Sequence, residues 1–221
     1  MKKLGIIGGA GPLASALFYE TLIHESYQLG HPLPEIVLLN YPFSRGLTPE
    51  ESRNHGIVVR EELRHCLQAL ERAGAEVGVL VCNTLHLELA QAPIRNICFL
   101  QIPDLVLEKV HEKKSKRLLL LATQNTCDSS LYHQSGVTIF RPSLKEQQVV
   151  DNAIDHVLMG TFSEQDSLQI MELIRNFPEE IDGVILGCTD LPVLHHHFPI
   201  RLSIPIYDSV KIPAKTIMRF L

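Results

Sequence analysis

The sequence lacks long hydrophobic runs, an excess of positive charge and an even, closely spaced set of cysteines. Its longest apolar runs, such as Leu118 to Ala122, fall far short of the ~20 residues of a membrane-spanning helix. A net charge of −5 gives no general attraction for nucleic acid or anionic lipid. Five widely spread cysteines favour reduced thiols in a cytoplasmic enzyme over a disulfide framework.

Composition and length are those of a globular protein. Hydrophobic residues make up 45% and charged residues 20% of the 221 positions, which excludes a disordered or collagen-like chain. The length suggests one large domain, or two small lobes that share a core.

Short apolar runs alternate with helical stretches along the chain. This alternation predicts βαβ units and a mainly parallel sheet, hence an α/β fold. Helix starts are predicted at Thr48 and, more weakly, at Ser163. The predicted strands are Leu4–Ile7, Ile36–Leu39, Val77–Val81, Arg117–Ala122, Val137–Phe140 and Val184–Leu186.

The order of these pieces repeats. The run from Leu4 and its glycine loop parallel the run from Leu118 and its Thr-Gln-Asn-Thr loop, with an offset of 118 − 4 = 114. The segments ending in Cys82 and Cys188 are offset by 188 − 82 = 106. Chance parallels between βαβ units are the alternative, but the shared cysteine favours an old duplication. We predict two similar lobes, residues 1–102 and 103–221, with a C-terminal segment able to return to the first lobe.

Cys82 and Cys188 each follow a predicted strand and precede a helix. In open α/β sheets ligands bind at this point, and a helix N-terminus favours a thiolate. We therefore expect both thiol pKa values to fall from about 8.5 toward neutrality.

A matched pair of thiols across a cleft suits racemisation without a cofactor. One base removes the α-proton from one face of the carbon, and an acid on the other face returns a proton. Asn83, Thr84 and Thr189 directly follow the cysteines and can donate hydrogen bonds to the developing enolate.

Other interpretations of the cysteines stay open. Either one can be a small buried hydrophobe. His86 can pair with Cys82 in a thiol hydrolase, or it can orient the loop instead. A catalytically silent ligand-binding protein is a third alternative. Cys66 and Cys98 are interpreted as packing residues, whereas Cys127 can approach the cleft from a polar loop.

The chain resembles the aspartate/glutamate racemase superfamily, specifically its cofactor-independent aspartate racemase branch. The likeness covers nearly the whole chain and rests on Gly8-Gly-Ala-Gly-Pro-Leu-Ala, Cys82-Asn-Thr-Leu-His, Leu121-Ala-Thr-Gln-Asn-Thr and Gly187-Cys-Thr-Asp-Leu-Pro. It implies two Rossmann-like lobes related by a pseudo-two-fold axis, an active site between them, and often a homodimer. It also implies an acid–base pair, Cys82 and Cys188, and binding of the α-carboxylate and ammonium by Asn83, Thr84, Thr126 and Thr189.

Several positions depart from the family pattern and limit what can be said of the substrate. Ala10 replaces the usual Met of the glycine loop, and Asp190 replaces a Glu. The resemblance implies that Arg45 holds a side-chain carboxylate, with Arg53 as a competitor. Leu158 stands where an aspartate racemase typically has a second cation, a lysine, so recognition of a second carboxylate is weakened.

Cofactor motifs are incomplete. Gly9-Ala-Gly-Pro-Leu-Ala matches a dinucleotide fingerprint, but no acidic residue ends the second strand and Pro12 removes an N–H group. The glycine loop is interpreted as allowing the close approach of a small carboxylate. Three consecutive histidines, 195–197, point about 100° apart on a helix and cannot share a metal. We expect no pyridoxal phosphate, nucleotide or metal as cofactor. The expected partner is a small-molecule substrate, an amino acid, and neither nucleic acid nor a membrane.

Overall fold

The computed structural model describes residues 1–44, 49–89 and 96–221 and contains two parallel four-stranded sheets. The first has the order β2-β1-β3-β4, with β1 (Leu4–Gly8), β2 (Ile36–Asn40), β3 (Val77–Leu80) and β4 (Cys98–Leu100). The second has the order β6-β5-β7-β8, with β5 (Arg117–Leu121), β6 (Thr138–Phe140), β7 (Gly183–Leu186) and β8 (Ile206–Asp208). The second sheet thus repeats the topology of the first, which confirms the predicted α/β fold of two similar lobes.

Helices connect the strands. They are α1 (Pro12–Leu29), α2 (Pro49–Arg72), α3 (His86–Leu89), α4 (Ile102–Lys113), α5 (Gln124–Asp128), α6 (Leu144–Met159), α7 (Glu164–Arg175), α8 (Asp190–His197) and α9 (Lys211–Ile217). Within the described ranges, no helix combines the length and apolar character needed to cross a bilayer.

The central strands β1, β3, β5 and β7 are almost entirely buried. Parallel strands covered on both faces need such continuous apolar sequence, which is why these four strands were recognisable. Of the four edge strands, β2 and β6 were predicted and β4 and β8 were not; β4 and β8 have only three residues each, but so does β6, so length alone does not explain the difference.

One hydrophobic core joins the two lobes. Leu4, Ile6 and Val79 of the first sheet belong to the same buried cluster as Leu120 and Ile185 of the second. The other face of the first sheet has a separate core under α2, which includes Leu63, Cys66 and Leu70. The lobes therefore exclude water as a unit.

The C-terminal helix α9 packs on α1 and α4, so it contacts the first lobe as well as the second. Lys215 of α9 pairs with Glu25 of α1 at 2.8 Å. The lobe boundary between residues 102 and 103 stays a prediction, and α4 begins at that point.

The weaker of the two predicted helix starts is present. The Asp166 carboxylate accepts a hydrogen bond from the Ser163 N–H at 2.7 Å, and α7 begins at the next residue, Glu164. Thr48 lies outside the described residues, although α2 begins directly after it, at Pro49.

Candidate active site

The carboxyl ends of strands from both sheets meet between the lobes. The loop after β1 approaches the start of α8 so closely that a Cβ atom on Gly11 would lie 2.4 Å from Oδ1 of Asp190. Gly9 has φ +105°, and a Cβ there would lie 2.2 Å from the Tyr41 carbonyl oxygen. The glycine loop does admit a carboxylate, but the one observed is the protein's own Asp190.

Cys82 follows β3 and Cys188 follows β7, which are equivalent strands of the two sheets. Cys188 is 9% exposed, and Cys82 is partly buried. The Cys188 sulfur donates to Oδ2 of Asp190 at 3.6 Å. Burial, the Asp190 charge and the charge of Cys82 together raise the pKa of Cys188 well above its ordinary value.

The expected lowering of the thiol pKa values is wrong for this structure. Burial raises the pKa of Cys82 to about 12, and the Asp190 charge adds to the effect. Backbone N–H groups of Leu85 and Thr84 oppose it, as a helix start should, but they are weaker than the loss of solvent. Desolvation was not visible in the sequence, because it depends on both lobes closing over the thiols.

Asn83 is 1% exposed and connects the lobes. Its Oδ1 accepts a hydrogen bond from the Tyr132 hydroxyl at 2.6 Å, and its Nδ2 donates to the Ser209 hydroxyl at 3.1 Å. Both partners belong to the second lobe. Neither Tyr132 nor Ser209 was identified in the sequence, because each lies in a loop without a recognisable motif.

Thr84 makes a second connection between the lobes. Its hydroxyl lies 2.9 Å from the hydroxyls of both Thr123 and Thr126, which belong to the N-terminal turn of α5. Thr123 occupies the N-cap position of that helix. The structure thus brings Thr84, Thr123 and Thr126 together, while the substrate-binding role that the resemblance implies for Thr84 and Thr126 stays a prediction.

The other expected site residues have different surroundings. Thr189 is buried at the N-cap of α8, where its side chain makes no capping hydrogen bond. Ala10 packs against the core under α2. Leu158 is partly buried against the shared core. Arg45 lies outside the described residues, as does the Arg53 side chain.

His86 is 1% exposed and holds backbone groups. Its Nδ1 lies 2.6 Å from the Cys82 carbonyl oxygen, and its Nε2 accepts a hydrogen bond from the Ile102 N–H at 3.2 Å. A carbonyl can only accept, so Nδ1 carries the proton. Burial lowers the pKa of this imidazole to about 4. His86 therefore orients the loop after β3 and does not serve as a base for the Cys82 thiol.

The remaining cysteines have other surroundings. Cys127 is buried, and its sulfur contacts the Leu120 and Ala122 carbonyls at the carboxyl end of β5. Cys66 is a core residue, as predicted. Cys98 is exposed on β4, so its interpretation as a packing residue was wrong.

The fold and these contacts define a class: an α/β protein of two lobes with the same strand order, joined by buried polar contacts at the strand ends. The family model of Asp/Glu/Hydantoin racemases matches residues 7–217. The chain belongs to that family, and it is a racemase, which is a kind of isomerase.

Solved structures and curated proteins agree with this assignment. An aspartate racemase homologue from Pyrococcus horikoshii superimposes with a TM-score of 0.78 and 28% identity, over 100% of this chain and 99% of that one. For the aspartate racemase of Picrophilus torridus the TM-score is 0.80 and the identity 25%, over 100% and 94%. The glutamate racemase of Aquifex aeolicus is 24% identical, over 99% of this chain and 83% of that protein.

We expect iodoacetamide near pH 7.5 to modify the exposed Cys98 before Cys82 and Cys188, since only a thiolate reacts and both site thiols have raised pKa values. Raising the pH should speed the reaction at Cys82 by about tenfold per pH unit. Peptide mapping by mass spectrometry gives the order. Equal rates at Cys82 and Cys98 near neutral pH would contradict it.

Acid should destabilise the protein through His86. The unfolded imidazole binds a proton near pH 6.5, whereas the folded one does so only near pH 4. The contribution of neutral His86 to the free energy of unfolding is complete above pH 6.5. It is lost as the pH falls from 6.5 to 4, which lowers that free energy by about 3 kcal/mol. Urea unfolding at several pH values measures it. In His86→Gln this part of the acid-dependent loss should vanish; an unchanged pH profile would rule out the assignment.

Proposed function

We propose that the protein interconverts the enantiomers of an acidic amino acid, aspartate first, with Cys82 and Cys188 as the two acid–base groups. The observation that carries the proposal is the placement of one thiol directly after each of the equivalent strands β3 and β7, at the strand ends that meet between the lobes. The 28% and 25% identities to an aspartate racemase homologue and an aspartate racemase, over the whole chain, support aspartate as the first substrate to test.

The chemistry needs only two protons. One sulfur, as thiolate, takes the α-proton and leaves an electron pair on the α-carbon, delocalised into the carboxylate. The other sulfur, as thiol, gives its proton to the opposite face. The first sulfur is then a thiol and the second a thiolate, and the reverse reaction restores them.

The raised thiol pKa values set a requirement on the substrate. Both thiols stay protonated near neutral pH unless a positive charge approaches. The α-ammonium group of an amino acid brings that charge next to the sulfur atoms and offsets the charge of Asp190. Binding of the substrate thus favours the thiolate that the reaction uses.

Hydrogen-bond donors lie near the strand ends that carry Cys82 and Cys188. Thr84, Thr126 and Thr189 have hydroxyl groups there, and Asn83 has a carboxamide. In a site closed to water, such donors stabilise the charge that develops on the substrate carboxylate. We propose these four residues, with the backbone at Ala10, as the binding set for the α-carboxylate and the ammonium.

The two cysteines should be separable in deuterated water. Wild-type protein should invert aspartate and place deuterium at the α-carbon. Cys82→Ser and Cys188→Ser should each lose inversion by at least about 10²-fold, while each still exchanges the α-hydrogen of one enantiomer, opposite in the two variants. Chiral chromatography with mass spectrometry measures both products.

Cys98→Ala is the control, because it removes a thiol outside the site and should keep full activity. Full inversion in either site variant would exclude the two-base scheme. Release of a new product would instead support the thiol hydrolase, which the contacts of His86 already oppose. Neither exchange nor inversion with any amino acid would indicate a ligand-binding protein.

Arg45 is proposed to hold the side-chain carboxylate of the substrate. Arg45→Ala should raise the KM for aspartate by about tenfold or more, and should leave the KM for any neutral amino acid nearly unchanged. Arg53→Ala is the matched comparison on the following helix. If Arg53→Ala alone shows the effect, Arg53 is the carboxylate ligand; equal effects on acidic and neutral substrates would exclude Arg45.

Two further expectations remain proposals. All five cysteines are free thiols, which supports a reducing compartment such as the cytoplasm. A homodimer is also proposed, and the molar mass from light scattering tests it.

A further inference from the structure

We propose that Tyr132 is a positioning residue for racemisation: its hydroxyl fixes the Asn83 carboxamide so that the amide N–H groups face the site between the lobes. This inference rests on the proposed function, in which Asn83 binds the substrate. Tyr132 lies in the loop between α5 and β6 and is 2% exposed. Its hydroxyl oxygen is 2.6 Å from Oδ1 of Asn83.

The partners of Asn83 determine which way its amide faces. Burial raises the pKa of the Tyr132 phenol, so the hydroxyl keeps its proton and donates it to Oδ1. The opposite end of the amide, Nδ2, donates one hydrogen to the Ser209 hydroxyl. Ser209 is fixed in turn, because the Asp208 carboxylate accepts hydrogen bonds from the Val210 and Lys211 N–H groups at 2.8 and 2.7 Å.

A carboxamide nitrogen carries two hydrogens. With one on Ser209, the second remains for an oxygen of the substrate. A flipped amide would turn Oδ1 toward a substrate carboxylate, and two oxygens would then repel each other. The Tyr132 hydroxyl opposes this flip, because it would then face the Nδ2 hydrogens with its own proton.

Tyr132 also lies near the reacting thiol. The charge of Cys188 adds to the effect of burial on the phenol. The residue before Cys188 is Gly187, and a Cβ there would lie 3.2 Å from Cε2 of the Tyr132 ring. Gly187 therefore leaves room for this ring and, more closely, for the Leu120 side chain, whose Cδ1 would lie 2.5 Å from such a Cβ. Tyr132 thus lies between Asn83, which follows β3, and Gly187, which follows β7.

The test is Tyr132→Phe, which keeps the ring and removes the hydroxyl. We expect kcat/KM to fall by about tenfold for both enantiomers, the effect of one buried hydrogen bond. Tyr207→Phe is the matched control: Tyr207 is also 2% exposed, and its hydroxyl donates to Ser115 Oγ at 2.7 Å, away from Asn83. In an Asn83→Ala background, Tyr132→Phe should have no further effect; an undiminished tenfold loss there would overturn the proposal.

A second readout does not require activity. Amide NMR signals of the Asn83 side chain, assigned by their loss in Asn83→Ala, should exchange with water at least about tenfold faster in Tyr132→Phe than in wild type or Tyr207→Phe. Unchanged exchange would overturn the positioning role. If wild-type protein inverts no amino acid, the proposed function fails, yet this measurement still decides whether Tyr132 fixes the amide. Should Tyr132→Phe not fold, the hydroxyl proton of Tyr132 is the readout instead: in wild-type protein, bonded to Oδ1 of Asn83, it should give an NMR signal that is lost in Asn83→Ala, and persistence of that signal in Asn83→Ala would overturn the proposal.

Discussion

Hydrogen bonds that cross between the lobes, in a place closed to water, hold the groups of the site together. Asn83 reaches two residues of the second lobe, and Thr84 reaches the first turn of α5. These bonds form because a shared apolar core fixes how the two sheets face each other. A small error in that packing would leave several buried polar groups without partners, each at a cost of about 1–3 kcal/mol.

Burial between the two lobes also determines the pKa values of the Cys82 and Cys188 thiols. A helix N-terminus by itself favours a thiolate, but removal of solvent from both sulfur atoms outweighs the few N–H groups that face them. A site of this kind does not store a charged nucleophile while it waits for a substrate. In the proposed mechanism the thiolate forms only when the substrate brings a positive charge, which suits a reaction that begins and ends with the same number of charges.

Much of the fold and part of the site could be predicted from the sequence. Continuous apolar runs such as Leu118 to Leu121 identify buried parallel strands, and the cysteines after β3 and β7 show where the two halves correspond. Tyr132 and Ser209 could not be found this way, because they lie 49 and 126 positions from Asn83 and only the tertiary fold brings them to it. The glycine loop was expected to admit a small carboxylate, but the carboxylate that lies against Gly11 belongs to Asp190, 179 residues away (190 − 11).

The two thiols are equivalent in topology but not in their neighbours. The sulfur of Cys188 donates to the Asp190 carboxylate, whereas that of Cys82 faces the backbone N–H groups of Leu85 and Thr84. Mirror-image substrates have equal free energies in water, so the Haldane relationship forces kcat/KM to be identical in the two directions whatever the asymmetry of the site. Under the proposed two-base scheme, the unequal surroundings of the sulfurs can only divide that shared ratio differently between KM and kcat, so that the enantiomer with the lower KM is also the one converted more slowly at saturation.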